Sequence, residues 1–125
     1  MKIPALLFAL LLPTLAAAGA YEDMEEALIA GDTAWAIQLI NRGMDVNSVD
    51  PQGNTLLMQA VRRENMPFVD YLLKRRARLN TRNRNGETAL SLAAYKGKLP
   101  FVKRLVEAGA DEGVVRDVAG RVTSG

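Results

Sequence analysis

The chain has 125 residues, 49% of them hydrophobic, and 16 basic against 14 acidic side chains give a formal net charge of +2. That is enough for one compact domain and no second core. It contains no cysteine, which excludes a disulfide framework, a thiolate metal site and a thiol nucleophile; it contains no histidine, the commonest general base near neutral pH and the commonest zinc ligand, so the composition points away from catalysis.

The N-terminus reads as an address. Lys2 precedes the uncharged, leucine-rich run from Ile3 to Leu15, followed by Ala16, Ala17, Ala18, Gly19 and Ala20 before the first acid, Glu22. A positive start, an apolar stretch and small residues at a cut site describe a secretory signal peptide over residues 1–20. Cuts after Ala18 and after Ala20 both fit, and the second leaves Tyr21 at the head of an acidic helix. Residues 3–21 are uncharged and long enough for an anchor, but Pro4, Pro13 and the Ala/Gly-rich end favour cleavage. Without cysteine there is no lipobox residue to carry a lipid. The expectation is a periplasmic protein with no stable membrane anchor after cleavage.

Charge is unevenly distributed. Tyr21 to Asp50 holds seven acids and one base, Arg42, a net −6, whereas Arg62 to Arg84 holds eight bases and two acids, a net +6. Basic surface is therefore expected toward the middle of the domain.

Shifting the chain by 33 residues aligns it with itself. Asn47 meets Asn80, Asp50 meets Asn83, Gly53 meets Gly86, and Thr55 meets Thr88. Further on, Leu57 meets Leu90, Ala60 meets Ala93, and Pro67-Phe68-Val69 meets Pro100-Phe101-Val102. One period earlier, Ala27, Gly31, Trp35, Leu39 and Ile40 fall into the same register. Such a period is the signature of a stacked array. The spacing places boundaries at 21–46, 47–79 and 80–113, with residues 114–125 as a partial repeat or tail.

Each unit has a physical reading. Asp50-Pro51-Gln52-Gly53 and Asn83-Arg84-Asn85-Gly86 are turn tetrads ending in glycine. Thr55 and Thr88 cap first helices that run to about Arg63 and Lys96. Second helices begin near Asn65 and Leu99, with Pro67 and Pro100 in the tolerated first turn. Phe68, Val69, Leu72, Leu73 and their counterparts Phe101, Val102, Leu105, Val106 form one apolar face. Trp35, in the same register as Phe68 and Phe101, is expected in the core. Gly43 and Gly109 end second helices. The fold class is all-α, about three stacked helix–turn–helix units joined by short hairpin turns.

The segments from Gly53-Asn54-Thr55 to Ala60, Gly86-Glu87-Thr88 to Ala93, Glu107-Ala108-Gly109-Ala110-Asp111 and Arg42-Gly43-Met44-Asp45 resemble the turn, helix and hairpin motifs of the ankyrin-repeat family, over about Glu22 to Gly120. Several positions depart from the family pattern. Met58 and Ser91 replace a usual histidine. Glu64 and Arg76 stand where glycines are typical, which puts the middle unit's helix ends in question. Arg78 replaces the usual aspartate seen here as Asp45 and Asp111. A fourth turn, Asp117-Val118-Ala119-Gly120, is one residue out of register and leaves Val114, Val115, Val118 and Val122 as a frayed or self-associating end.

The resemblance implies a non-catalytic module that binds a partner protein, inhibiting, neutralising or assisting it, through a basic concave face made of hairpin tips and the exposed side of the first helices. Here those are Val49, Pro51, Gln52 and Asn54; Arg82, Arg84, Asn85 and Glu87; and Arg62, Arg63, Tyr95 and Lys96. Five are basic and one is acidic, which fits a partner with an acidic surface. Lys74, Arg75 and Arg76 read more simply as helix-end charges that favour the dipole. The reading implies no cofactor, no metal and no nucleic acid, because aromatics are few among the bases. Scattered carboxylates on a solenoid face do not form a catalytic pair. A self-associating envelope scaffold, dimeric through the C-terminal end, stays open as the alternative.

Overall fold

A computed structural model describes residues 12–110, with the side chains of residues 19–110. Residues 1–11 of the expected leader, the last residues of the expected 80–113 repeat from 111 onward, and the expected partial repeat or tail over 114–125 lie outside the described residues. Six helices follow in order: α1 (Leu12–Ala30), α2 (Thr33–Asn41), α3 (Leu56–Arg62), α4 (Met66–Lys74), α5 (Ala89–Tyr95) and α6 (Leu99–Glu107). Among the described residues the one extended pairing is an isolated antiparallel bridge between Val49 and Thr55. The chain divides into two compact units, one ending at Asp45 and the other beginning at Val46.

In the first unit α1 packs on α2. Met24, Ala27 and Leu28, spaced as one helical face, are buried, as are Ala36, Leu39 and Ile40 of α2. Helix α1 is continuous through Ala18 and Ala20, so both expected cleavage positions fall inside it and the buried stripe lies C-terminal to them. Asp32 caps α2 by accepting the Trp35 N–H at 3.0 Å. Trp35 itself is only half-buried, whereas Phe68 and Phe101 at the same register are buried. The expected core tryptophan thus keeps part of its surface in solvent.

The second unit contains two turn–helix–helix repeats, with α3 packed on α4 and on α5, and α5 packed on α6. Leu57, Val61, Phe68, Val69, Leu72, Leu90, Ala93 and Leu105 are almost fully buried. Leu73, Val102 and Val106, expected on the same apolar face, are half-buried at its edge. Thr55 and Thr88 cap the first helices, accepting the N–H groups of Met58 and Ser91 at 3.1 Å each. Ser91 closes a capping box, its hydroxyl accepting the Thr88 N–H at 2.8 Å. Asn65 caps α4, accepting the Phe68 N–H at 3.1 Å; Lys98, in the same place before α6, makes no side-chain cap.

The helix ends resolve the question raised by Glu64 and Arg76. The positions at which successive helices stop are Gly31, Gly43, Glu64, Arg76, Gly97 and Gly109, and all six have positive φ. The two non-glycines adopt φ 56° and 61°. Their turns close as the glycine turns do. Glu64 N–H donates to Val61 O at 2.9 Å and Asn65 N–H to Ala60 O at 2.9 Å; Arg76 N–H donates to Leu73 O at 3.0 Å and Ala77 N–H to Leu72 O at 3.0 Å. A left-handed conformation costs an L-residue roughly 1–2 kcal/mol. Glu64 has an exposed ion pair to set against that cost, with Lys98 at 3.3 Å. The Arg76 side chain has no partner among the described residues. Arg76→Gly is therefore expected to stabilise the protein by about 1 kcal/mol after allowing for glycine's extra unfolded-state entropy. A melting curve followed by circular dichroism should rise by a few degrees; an unchanged or lower midpoint would mean that the site is not strained.

Candidate functional site

The two hairpins of the second unit are built on the same side-chain device. The Asp50 carboxylate accepts the N–H groups of Gln52 (2.9 Å) and Asn54 (2.8 Å), while Gly53 N–H donates to the Asp50 carbonyl at 2.8 Å. One repeat on, Asn83 accepts from the N–H groups of Asn85 and Glu87, both at 2.9 Å, and Gly86 N–H donates to the Asn83 carbonyl at 2.9 Å. Asp and Asn suit this place because a short polar side chain can bond its own backbone two residues on.

The hairpins are then joined to each other. Asn83 Nδ2 donates to Asn54 Oδ1 at 2.8 Å and to Glu87 Oε1 at 2.7 Å, and Asn54 Nδ2 donates to Asp50 Oδ2 at 3.1 Å. The Arg84 N–H reaches back to the Gln52 carbonyl at 3.0 Å. Gly53 lets the backbones come this close, since a Cβ there would stand 3.2 Å from Asn83 Cα.

This network decides which expected binding residues are available. Asn54, expected at a hairpin tip, is only 6% exposed and is committed to Asp50 and Asn83, so it holds the hairpins together and does not present an outward group. Glu87 is half-buried and accepts from both Asn83 and Arg62, the latter at 3.2 Å. Lys96 Nζ donates to the Arg62 carbonyl at 3.5 Å and Arg82 Nη1 to the Gly86 carbonyl at 3.2 Å. Val49, Pro51, Gln52, Asn85, Arg63, Arg84 and Tyr95 are exposed, Tyr95 at 83%. The guanidinium groups of Arg63 and Arg84 have no partner among the described residues.

Electrostatically the second unit is strongly basic. Residues 46–110 hold twelve bases and five acids, a net +7. Three of those acids are held in ion pairs, Glu87 with Arg62, Glu64 with Lys98 and Asp70 with Arg104. The last pair joins α6 to α4 beside an open groove lined by Leu73, Lys74, Glu107 and Ala108. The hydrogen bond that Arg104 donates to Asp70, and then the charge of that carboxylate, raise the guanidinium above its ordinary value. A raised base contributes stability below its unfolded pKa and loses it only as pH passes the folded value, so the Arg104 guanidinium brings no pH dependence near neutrality. At the end of α4, Arg75 is engaged internally, donating to Tyr71 Oη at 2.7 Å with its guanidinium carbon 5.7 Å from the ring centre. Among the described residues no cluster of acidic side chains could hold a metal ion, and no helix is long and apolar enough to cross a membrane.

A family model of ankyrin repeats, three copies, matches residues 24–115. The chain belongs to the ankyrin-repeat family. Repeats of this family mediate protein–protein interaction. No curated protein matches the sequence. Among solved structures the chain is similar to one in the complex of the predatory endopeptidase Bd0816 from Bdellovibrio bacteriovorus with the immunity protein Bd3460. The identity is 33% and the TM-score 0.66; the match covers 71% of this ankyrin chain and 47% of the other, so it spans about half that chain's length.

Sequence reasoning missed Asp50 and Asn83 as the organisers of this surface and put Asn54 among the contacts. The signal for the first two was present, since Asp50 and Asn83 recur at the repeat distance with glycine three residues later. Asn83→Leu, which removes the buried donor and acceptor from both hairpins, should cost about 1–3 kcal/mol in chemical denaturation. Arg62→Ala, which removes one exposed ion pair, should cost under about 1 kcal/mol. Equal losses would show that the hairpins are held by packing alone.

Proposed function

We propose that this protein is an exported ankyrin-repeat binder that docks on the acidic surface of a partner protein and neutralises it. The observation that carries the reading is the set of exposed cations on the hairpins and first-helix ends, above all Arg63 and Arg84, whose guanidinium groups have no partner among the described residues, together with the exposed Tyr95. Arginine and tyrosine supply binding energy at interfaces out of proportion to their number. Opposite charge speeds and orients docking. The similarity to a chain in an endopeptidase–immunity protein complex supports a neutralising role over a catalytic one. The leader from Lys2 to Ala20 supports export to the periplasm.

Affinity capture from a periplasmic extract, with wild-type bait beside an Arg63→Glu/Arg84→Glu bait, tests the docking. Arg62 is left alone because it is tied to Glu87. One protein enriched by the wild type and lost with the variant is the expected result; the same proteins on both baits would sink the proposal. Export has its own readout. The mature protein should begin at Tyr21 or Gly19, and recovery of the intact leader in the cytoplasm would contradict it.

A further inference from the structure

Between α4 and the next hairpin the chain runs through residues 76–84 as an arm whose exposure alternates. Arg76, Arg78, Asn80, Arg82 and Arg84 are exposed; Ala77 and Asn83 are buried, and Leu79 and Thr81 are half-buried. Alternation of this kind is what an extended chain against a surface produces. A bend at Leu79–Asn80 divides the arm into two arginine pairs.

One repeat earlier the same five positions are Gly43, Asp45, Asn47, Val49 and Pro51. Only the asparagine is common to both arms, and it has a structural task, since Asn47 Oδ1 accepts the Arg78 N–H at 2.8 Å. The other four positions have all become arginine. Apart from the bond of Arg82 to the Gly86 carbonyl, no contact among the described residues accounts for them. The earlier arm is built without any of these side chains, and at position 76 the arginine replaces the residue that the backbone prefers. Arg76 also lies beyond the end of α4, whose last helical residue is Lys74, so the dipole reading covers Lys74 and Arg75 only.

No acid lies between Arg75 and Gly86. Among the described residues, only the Arg82 guanidinium of these four has a partner, the Gly86 carbonyl. At Arg76 strain is held at an exposed position with no offsetting contact among the described residues, which points to a contact made with a partner.

We propose that this arm is an arginine ladder that grips an extended acidic segment of the partner protein, carboxylates meeting guanidinium forks along its length. It rests on the reading that the partner is an acidic protein, and it extends the surface from Arg82 and Arg84 to Arg76 and Arg78. A nucleic acid shares the anionic chemistry. The residues between the arginines are Ala77, Leu79, Asn80, Thr81 and Asn83, however, and without an aromatic the arm has no platform on which bases could stack.

The test is fluorescence anisotropy on the full chain. The probes are a labelled peptide of about ten residues with alternating Glu and Thr, long enough to span the arm, its Gln/Thr counterpart, and an oligothymidylate of similar length. Arg76→Gly/Arg78→Asp installs the Gly43 and Asp45 of the preceding arm, so the fold already accommodates those residues. Leu99→Glu/Lys103→Glu changes the net charge equally, at exposed positions on α6 outside the arm. The Glu/Thr peptide should bind and the Gln/Thr peptide should not. The arm variant should weaken binding about tenfold, each exposed pair being worth up to roughly fivefold, and the charge-matched control should stay within about twofold of wild type. Equal weakening by the two variants would reduce the ladder to net charge and overturn it. Tighter binding of the oligothymidylate than of the acidic peptide would also overturn it, in favour of a nucleic acid. Capture that depends on Arg63 and Arg84 but ignores Arg76→Gly/Arg78→Asp would overturn the ladder and leave the broader reading standing. Failure of the capture itself would strike the broader reading, and the anisotropy would still decide the ladder.

Discussion

The bond from Asn83 Nδ2 to Asn54 Oδ1 links two hairpins that are each already organised by an Asx turn. Both side chains are buried, where an unpaired amide would be costly, so the bond tolerates little displacement. Apolar packing between α3 and α5 contributes most of the free energy but has no direction of its own. The polar link adds the direction. It fixes how far one repeat steps past the next, and Gly53 permits the approach. With that step set, Arg62 at the end of α3 meets Glu87 at the start of the next first helix, and each remaining surface residue takes its place relative to this pair.

A division of labour follows among the cations. Arg62 and Arg63 are neighbours, yet one is bound to Glu87 and the other faces solvent with no partner among the described residues. Arg82 leans on the Gly86 carbonyl; Arg84 uses only its backbone N–H, to Gln52. Lys98 answers Glu64, and Arg104 answers Asp70. All three ion pairs are exposed and screened, so each adds little to stability. Their larger effect is to engage three of the unit's five acids within the chain.

Most of the fold was legible because its determinants are local. The turn tetrads, the threonine caps, the prolines in the first turn of the second helices and the glycines at helix ends each act within a few residues, and the 33-residue shift found them twice. The misreadings concern what lies across repeats. Asn54 looks from sequence like any other residue after a turn; its burial comes from Asn83, twenty-nine residues on. Trp35 has the register of Phe68 and Phe101 without their burial. Arg76 was assigned to the end of α4, and only the helix boundary at Lys74 with a positive φ two residues later places it on the arm instead. The Gly43–Arg76 and Asp45–Arg78 substitutions were visible in the alignment, but their common exposure was not.

The two non-glycine helix ends separate stability from binding more sharply than the rest of the surface does. In a repeat array each unit is stabilised mainly by its immediate neighbours, so a strained turn within one unit is carried by the packing next to it. Glu64 lowers that burden by reaching Lys98 of the following repeat, and its charge has a use inside the molecule. Arg76 has no such partner among the described residues, although glycine serves at the equivalent positions before and after it. A sequence shaped by stability alone would carry glycine there. Stabilising substitutions tend to cost function where a side chain is held in place for an external partner. Arg76 is the position where loss of strain and loss of binding should coincide in a single exchange.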